Sequence, residues 1–436
     1  MQRPLSPLEQ AFCLSEPPVP MNFVMVACFR DELDEATLRQ VLHCLRARYP
    51  MGALRLDSDA HGGLCFTAAG VAAFPLSVSE QAYPMTWQQV AAQELGTDFD
   101  LATGPLARAV LLKHGASRRA DLILTFHHGI ADGMSGVYFL RDLLGLLHDA
   151  QANLPDVPPL PDLHSLISPL ARPSPALQAQ VLGMKSGLWL MRHFPPFGRR
   201  FPPADRLIEG RFPWQCFGVT ARSLTQPQTA RLATRCREKG TSVHAAVCAA
   251  WLRARLESGL EAGIWKRAVS CPVNLRGFLN AENTFGVCMS NAVVVADCRP
   301  GRDFWDIACQ VKARINCEIQ TGRVYHWALM MGELARSSPG DVRWALPAFA
   351  TQPVRYDFSI SNLGRLCLPT AGTSPVLEAV YGPVVNTSER EMTVGVSTAC
   401  ERLTMTLAYR DFVLDPMQAE KMATKAVDIL AEAVGG

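Results

Sequence analysis

Two adjacent histidines, His127 and His128, stand in the run Thr125-Phe-His-His-Gly-Ile-Ala-Asp-Gly-Met-Ser-Gly136, with Asp132 four residues past the second and glycines at 129, 133 and 136. An imidazole of ordinary pKa, ~6.5, is mostly neutral at pH 7 and can take a proton from a hydroxyl or an amine. The glycines are expected to let the backbone turn tightly. Spacing alone leaves a second reading open, of two surface histidines or a core histidine satisfied by hydrogen bonds. Position favours chemistry. Asp121 to Phe126 (DLILTF) is an apolar strand-like run that delivers both imidazoles at its end, and catalytic groups are commonly presented by loops on such rigid supports.

The elements around this loop alternate between strand and helix. Asn22 to Arg30 reads as a strand, and Asp34 to Arg48 as a helix with Leu38, Val41, Leu42 and Leu45 at helical spacing. Leu106 to Lys113 and Asp121 to Phe126, separated by HGASRRA, predict a hairpin, and Met134 to Ala150 places Val137, Leu140, Leu143, Leu144 and Leu147 on one helical face. Prolines then crowd the chain from Pro155 to Pro213, with a helix expected inside from Ala176 to Arg192. Beyond them, strands are predicted at Gly218 to Leu224, Ala268 to Val273, Asn291 to Asp297, Phe358 to Ser361, Met392 to Ser397 and Leu403 to Tyr409. Helices are predicted at Gln228 to Lys239, from a capped start at Thr241 through Leu256, at Phe304 to Ile319 and at Pro416 to Val434. Two mixed α/β lobes follow, residues 1–170 and 216–436, joined by a proline-rich linker at 171–215.

Composition bounds the function. Of 436 residues, 48% are hydrophobic and 19% charged, which excludes a disordered chain. The balance of 42 basic against 40 acidic residues gives no electrostatic footprint for nucleic acid, so no nucleic-acid partner is expected. Met1 to Pro20 lacks the unbroken apolar stretch of a secretion signal, and no segment reaches the apolar length of a membrane span, which predicts a cytoplasmic protein. The 14 cysteines run from Cys13 to Cys400 without a CxxC pair or a Cys/His cluster at metal-ligand spacing, and most sit in apolar surroundings; they are expected to be reduced core thiols, with no disulfide and no metal. His43, His148, His164, His193, His244 and His326 are assigned structural places.

HHGIADG resembles the HHxxxDG motif of the condensation-domain superfamily, which is similar to chloramphenicol acetyltransferase, to the plant HxxxD acyltransferases and to the acyltransferases that esterify mycobacterial diols. Other segments match in family order. Leu5-Ser-Pro-Leu-Glu-Gln10 resembles the opening motif, Phe99-Asp-Leu-Ala-Thr-Gly-Pro-Leu106 the FDL..GPL segment, and Pro272-Val-Asn-Leu-Arg276 the segment ending in LR. Asp357-Phe-Ser-Ile-Ser-Asn-Leu-Gly364 resembles the SNLG segment of the ester-forming branch. Two departures tilt toward a bacterial O-acyltransferase. Where amide-forming domains carry RHExLR, this chain has Arg46-Ala-Arg-Tyr-Pro-Met-Gly-Ala-Leu-Arg55, and the DFGWG element of the plant enzymes is replaced by DFSISNLG.

The resemblance implies two chloramphenicol-acetyltransferase-like lobes in a V-shaped pseudo-dimer, with a tunnel between them and a C-terminal segment crossing over to complete the N-terminal lobe. It makes His128 the general base and gives His127 a structural hydrogen-bonding role. It pairs Asp132 with Arg276 in a salt bridge, turns backbone N–H groups near Gly133 toward an oxyanion, and puts Ser361 and Asn362 beside the substrate. Ser135 is either a further oxyanion donor or an idle residue of the helix start.

The implied reaction moves an acyl group from a thioester, on an acyl carrier protein or coenzyme A, to a hydroxyl of a natural-product or lipid intermediate, without cofactor or metal. An amine acceptor on a peptide-synthetase line is the alternative, and a catalytically silent recruiter a third. The two lobes use up the chain, so both substrates are expected in trans. The basic aromatic run Trp189 to Phe201 is read as packed linker with solvated arginines, with docking of a carrier protein or membrane surface as the competing use.

Overall fold

In the computed structural model, described for residues 2–15, 20–60, 62–79, 85–170, 216–259, 264–335, 356–369, 374–388 and 391–435 and for isolated positions between 175 and 186, the chain builds two large mixed sheets and one small one. The first half contributes β1 (Gln2–Pro4), α1 (Pro7–Leu14), β2 (Asn22–Phe29), α2 (Glu35–Arg48), β3 (Arg55–Ser58), β4 (Leu64–Thr67), β5 (Leu76–Ser79), α3 (Trp87–Leu95), β6 (Ala107–His114), β7 (Arg119–His127), α4 (Gly133–His148) and α5 (Leu163–Ile167). The second half contributes β8 (Phe217–Ser223), α6 (Gln226–Glu238), α7 (Val243–Glu257), β9 (Lys266–Asn274), β10 (Met289–Asp297), α8 (Phe304–Gln320), α9 (His326–Ala335), β11 (Phe358–Arg365), β12 (Leu377–Val385), β13 (Thr393–Ala399), β14 (Arg402–Arg410) and α10 (Pro416–Ala433).

The N-terminal sheet has the order β12-β2-β7-β6-β5 and the C-terminal sheet the order β10-β9-β11-β13-β14-β8. Both are mixed: β5 runs parallel to β6, and β11 runs parallel to β9 and to β13. The hairpin of β6 and β7 is present, with Ala107 opposite Phe126 and His114 opposite Arg119. Apolar side chains of β2, β7, α2 and α4, among them Met25, Leu42, Leu124 and Leu143, form the N-terminal core. The C-terminal core gathers around α7, whose residues from Ala245 to Leu252 are all buried. A helix apolar on every side must be covered on every side, and α8, α10 and the sheet do so. A third cluster, with Leu8, Phe12, Met21, Leu275, Val287 and Leu329, draws residues from both halves and seals them together.

Several elements escape the sequence reading. Helix α1 is too short for periodicity to reveal it, yet it is specified locally. Ser6 accepts from the Glu9 N–H, the Glu9 carboxylate accepts from the Ser6 N–H, and Pro7 stands in the first turn. Strand β12 is hidden by Gly382-Pro383 in its middle. Of the proline-rich segment 171–215, only scattered positions up to Ser186 are described, and these are helical. The expected helix over Ala176–Arg192 lies largely outside the described residues, and the Trp189–Phe201 run lies wholly outside them.

Strand β12 leaves the C-terminal half and pairs antiparallel with β2, setting Leu377 opposite Phe29 and Val385 opposite Phe23. On the way it lies across β13 and β14, where the Val380 carbonyl accepts from the hydroxyls of Ser397 (2.9 Å) and Thr404 (2.6 Å). This approach explains Gly395, since a Cβ there would stand 2.0 Å from the Pro383 carbonyl oxygen. Gly395→Ala is expected to cost roughly 1–3 kcal/mol in urea unfolding, as overpacking does. Gly277→Ala, with open space around its Cβ position, is expected to leave the midpoint unchanged.

Candidate active site

Past the end of β7 the chain keeps one more sheet contact and then folds back. The His128 N–H donates to the Met21 carbonyl at 2.6 Å, and the Ile130 N–H donates to the His127 carbonyl at 3.1 Å. Asp132 then caps α4, its carboxylate accepting from the Ser135 N–H at 2.9 Å. Five residues therefore carry the chain from a strand end to a helix start, with both histidines at the beginning.

The two imidazoles have different surroundings. His127 is fully buried; its Nδ1 accepts from the Gly129 N–H at 2.9 Å, and the Phe99 ring meets it edge-on. It holds the turn. His128 stacks on Phe12 of α1, with ring centroids 4.7 Å apart and planes at 22°, and the Phe23 ring meets it at a tilt with centroids 5.3 Å apart. Burial against these rings pushes the His128 pKa below the ordinary 6.5. The Asp132 carboxylate and the carbonyls of His128 and Ala131 pull the other way without cancelling it. The ring is therefore neutral at pH 7, the state a base requires.

The glycines do a different job from the one expected. None of Gly129, Gly133 and Gly136 has a positive φ, so none is needed for a left-handed turn. Each stands instead where space is tight. A Cβ at Gly129 would sit 2.8 Å from the Cys13 sulfur and 2.9 Å from His127 Nδ1, one at Gly133 2.8 Å from Leu363 Cδ2, and one at Gly136 3.0 Å from Met25.

Asp132 and Arg276 meet between the halves as a bidentate pair, Nη1 to Oδ2 at 2.7 Å and Nη2 to Oδ1 at 3.0 Å, with both side chains buried. The carboxylate also accepts from the Cys288 N–H (2.9 Å) and the Ser135 hydroxyl (3.0 Å). The guanidinium donates further to the carbonyls of Thr284 and Gly286 and to Asn274 Oδ1. Burial alone would raise the Asp132 pKa; the Arg276 charge and these donors outweigh it and hold the carboxyl below its ordinary value. Ser135 belongs to the same knot. Its hydroxyl accepts from the Gly286 N–H (3.0 Å) and from Arg276 (3.1 Å), so it is neither idle nor turned to the cavity as an oxyanion donor.

Behind His128 opens a cavity of about 340 Å³ between the lobes. Phe12, Phe23, Gly133 and Met134 wall it from the first half, Pro272, Asn274, Trp327 and Leu363 from the second, and Pro383 and Val385 from the crossover strand. Ser361 and Asn362 line it too, and the side-chain oxygen of Asn362 is taken by the Gly364 N–H at 2.8 Å. His326 is not in the wall, although its neighbour Trp327 is. Toward the crossover strand the wall becomes polar, where the Tyr356 hydroxyl donates to Glu391 at 2.7 Å. The wall thus divides between apolar side chains and polar ones such as Asn274, Ser361 and Asn362, so a bound molecule would meet both kinds of surface. Sequence reasoning missed Phe12, Trp327 and the Tyr356–Glu391 pair; the capping box of α1 is the one local signal that pointed to Phe12.

Residues 16–165 match the family model of the Condensation domain, and residues 214–408 match that of the phthiocerol/phthiodiolone dimycocerosyl transferase C-terminus. Both matches agree with the resemblance of the sequence motifs to the condensation-domain superfamily. A linear gramicidin synthase of Brevibacillus parabrevis is 26% identical over 152 residues, which is 32% of this chain and 2% of that protein. The chain thus corresponds to a small part of that relative. Polyketide synthase associated protein 5 from Mycobacterium tuberculosis shares the fold with a TM-score of 0.65 at 18% identity, over 99% of this chain and 98% of that one. The first condensation domain of the calcium-dependent antibiotic synthetase, in complex with a substrate analogue, shares it with a TM-score of 0.68 at 18% identity, over 100% and 96%. The two-lobed fold of condensation domains, with mixed sheets in each lobe, is the fold of this chain. Among the described residues no helix is long and apolar enough to cross a membrane.

Removing either member of the buried pair strands the other. Asp132→Ala and Arg276→Ala are each expected to cost about 3–5 kcal/mol in chemical denaturation. The double variant is expected to lose less than the sum of the two, because both singles break one interaction; additive losses would contradict the pairing.

Proposed function

We propose that the protein is an acyltransferase that moves an acyl group from a thioester, borne by an acyl carrier protein or coenzyme A, to a hydroxyl of a natural-product or lipid intermediate. The observation that carries this reading is His128, an imidazole whose pKa burial lowers, set in the wall of a cavity between two lobes. The acceptor hydroxyl gives its proton to a ring nitrogen of His128 as its oxygen bonds to the thioester carbonyl carbon. The C–S bond then breaks, and the departing thiolate takes that proton back from the imidazolium. Between these steps the carbonyl oxygen carries negative charge. The first-turn N–H groups of α4 at Gly133 and Met134 have no partner within the helix by geometry and lie at the positive end of its dipole, at the cavity wall, so they are suited to receive it. Asp132, with its oxygens taken up by Arg276, Ser135 and Cys288, positions the loop and does not relay the proton. Ser361 and Asn362 would border the bound substrate.

An ester product is supported by Tyr49-Pro50, by the DFSISNLG segment and by the match of residues 214–408 to a family named for transfer to phthiocerol and phthiodiolone. Tyr49 has a structural task as well, its hydroxyl donating to Asp142 of α4 at 2.6 Å. Amide formation is the second reading, favoured by the match of residues 16–165 to the Condensation domain and by the gramicidin synthase relative. Matched alcohol and amine acceptors offered with one acyl carrier protein thioester, followed by intact-protein mass spectrometry, separate the two; faster transfer to the alcohol is expected, and faster transfer to the amine overturns the ester reading.

His128→Ala is expected to lower turnover by about 10²–10⁴-fold while leaving the unfolding midpoint close to wild type. Full activity in that variant would remove the mechanism and revive the recruiter reading.

A base must be unprotonated, and the His128 pKa lies below 6.5. Accordingly kcat/KM is expected to be flat near neutrality and to fall as pH drops through that lowered value. Phe12→Ala hydrates the ring, so this acidic limb should move upward, toward 6.5. A limb unmoved in the variant would mean that Phe12 does not set the pKa.

A further inference from the structure

Away from the cavity, the C-terminal core holds a second constellation of chemically active side chains. His244 and Cys248 lie one turn apart on α7 and so on the same face of the helix. Cys271 of β9 is buried in the core that α7 covers, one residue before Pro272 of the cavity wall. One donor atom from each of the three lies within 4.8 Å of the others. The contact from His244 Nε2 to Cys248 Sγ measures 3.6 Å. That is the edge of a tetrahedron whose centre stands ~2.1 Å from nitrogen and ~2.3 Å from sulfur, the distances zinc takes to these donors. The other edges reach tetrahedral length with thiol rotations that move sulfur by about 1 Å.

Burial and charge agree with that geometry. Cys248 and Cys271 are fully buried, whereas His244, in the first turn of α7, is half-buried. His244 Nδ1 is buried without a hydrogen-bond partner, and the ring's Nε2 meets the sulfur of Cys248, so the polar contacts of the ring are to the two cysteines that would share the ion with it. A dication held by two thiolates and a neutral imidazole is neutral overall, which lets it occupy a core that would reject an isolated charge. Soft sulfur donors with one imidazole select zinc over magnesium or calcium.

We propose that His244, Cys248 and Cys271 form a zinc-class metal site, with one water completing the tetrahedron. Binding forms two Zn–S bonds and one Zn–N bond and releases the two thiol protons to solvent. The ion ties the start of α7 to β9, the strand that ends at Asn274, two residues before Arg276. It is a structural clip, separate from the acyl-transfer chemistry.

The full chain, reduced and stripped with a chelator, is titrated with cobalt(II) and then with zinc(II). One equivalent of cobalt per chain is expected, with thiolate-to-cobalt charge-transfer absorption and the intense visible bands of tetrahedral coordination. Zinc should displace it and raise the melting temperature. Cys248→Ser and Cys271→Ser should abolish the charge-transfer band or halve it, and should weaken binding by more than about 100-fold, since loss of an outer partner alone costs 10–100-fold. His244→Gln, at a half-buried position that tolerates polarity, serves where a core substitution prevents folding, and should weaken binding likewise. Cys44→Ser, at an exposed cysteine, should change nothing. Three results overturn the proposal: no uptake by wild type, uptake unaltered in His244→Gln and the core cysteine variants, or a spectrum without thiolate absorption. A Cys248–Cys271 disulfide formed under mild oxidant by a chain that takes up no metal would assign the pair to redox chemistry instead.

Discussion

A carboxylate and a guanidinium buried together are stable only if every lone pair and proton of both is used. Asp132 and Arg276 meet that condition by gathering a helix start, the turn after β9 and the chain from Thr284 to Cys288 around one ion pair. The knot sits four residues beyond His128. It fixes where the loop leaves β7, which direction α4 takes, and how closely the two lobes approach. The shape of the cavity follows from those three settings.

The same exclusion of water governs the imidazole. The rings of Phe12 and Phe23 pack against His128 and exclude solvent from it, which disfavours its charged form and leaves a neutral acceptor of protons. Phe12 arrives on a short helix held by its own capping box, and Glu9 of that box is held in turn by Arg3 through two contacts. The ring thus depends on the opening segment of the chain, far from it in sequence, as much as on its own loop.

Much of this was legible in the sequence where local pattern and local structure coincide. The apolar run before His127, the helical spacing after Gly133 and the order of motifs through Arg276 all have direct counterparts in the structure. Three features did not, each for a physical reason. Glycine has two uses, a positive φ and the lack of a Cβ, and the sequence does not distinguish them; Gly129, Gly133 and Gly136 were read for the first and serve the second. Helix α1 is too short to show a period, so Phe12 looked like any apolar residue. Cys271 joins His244 and Cys248 only through the packing of a strand under a helix, and only the His244–Cys248 spacing could have hinted at the cluster.

The crossover strand has a consequence for how the protein is made. The outer edge of β2 is closed by β12, whose residues lie at 377–385. During synthesis from the N-terminus, β2, β7, β6 and β5 emerge early, yet their sheet keeps one open edge of unpaired N–H and C=O groups until Val385 has left the ribosome. Domains generally complete themselves in the order they are made, but here the first lobe finishes only after β8, β9, β10 and β11 of the second have appeared. An exposed strand edge invites pairing with another chain. The edge of β2 therefore stays available to such pairing until residues 377–385 close it.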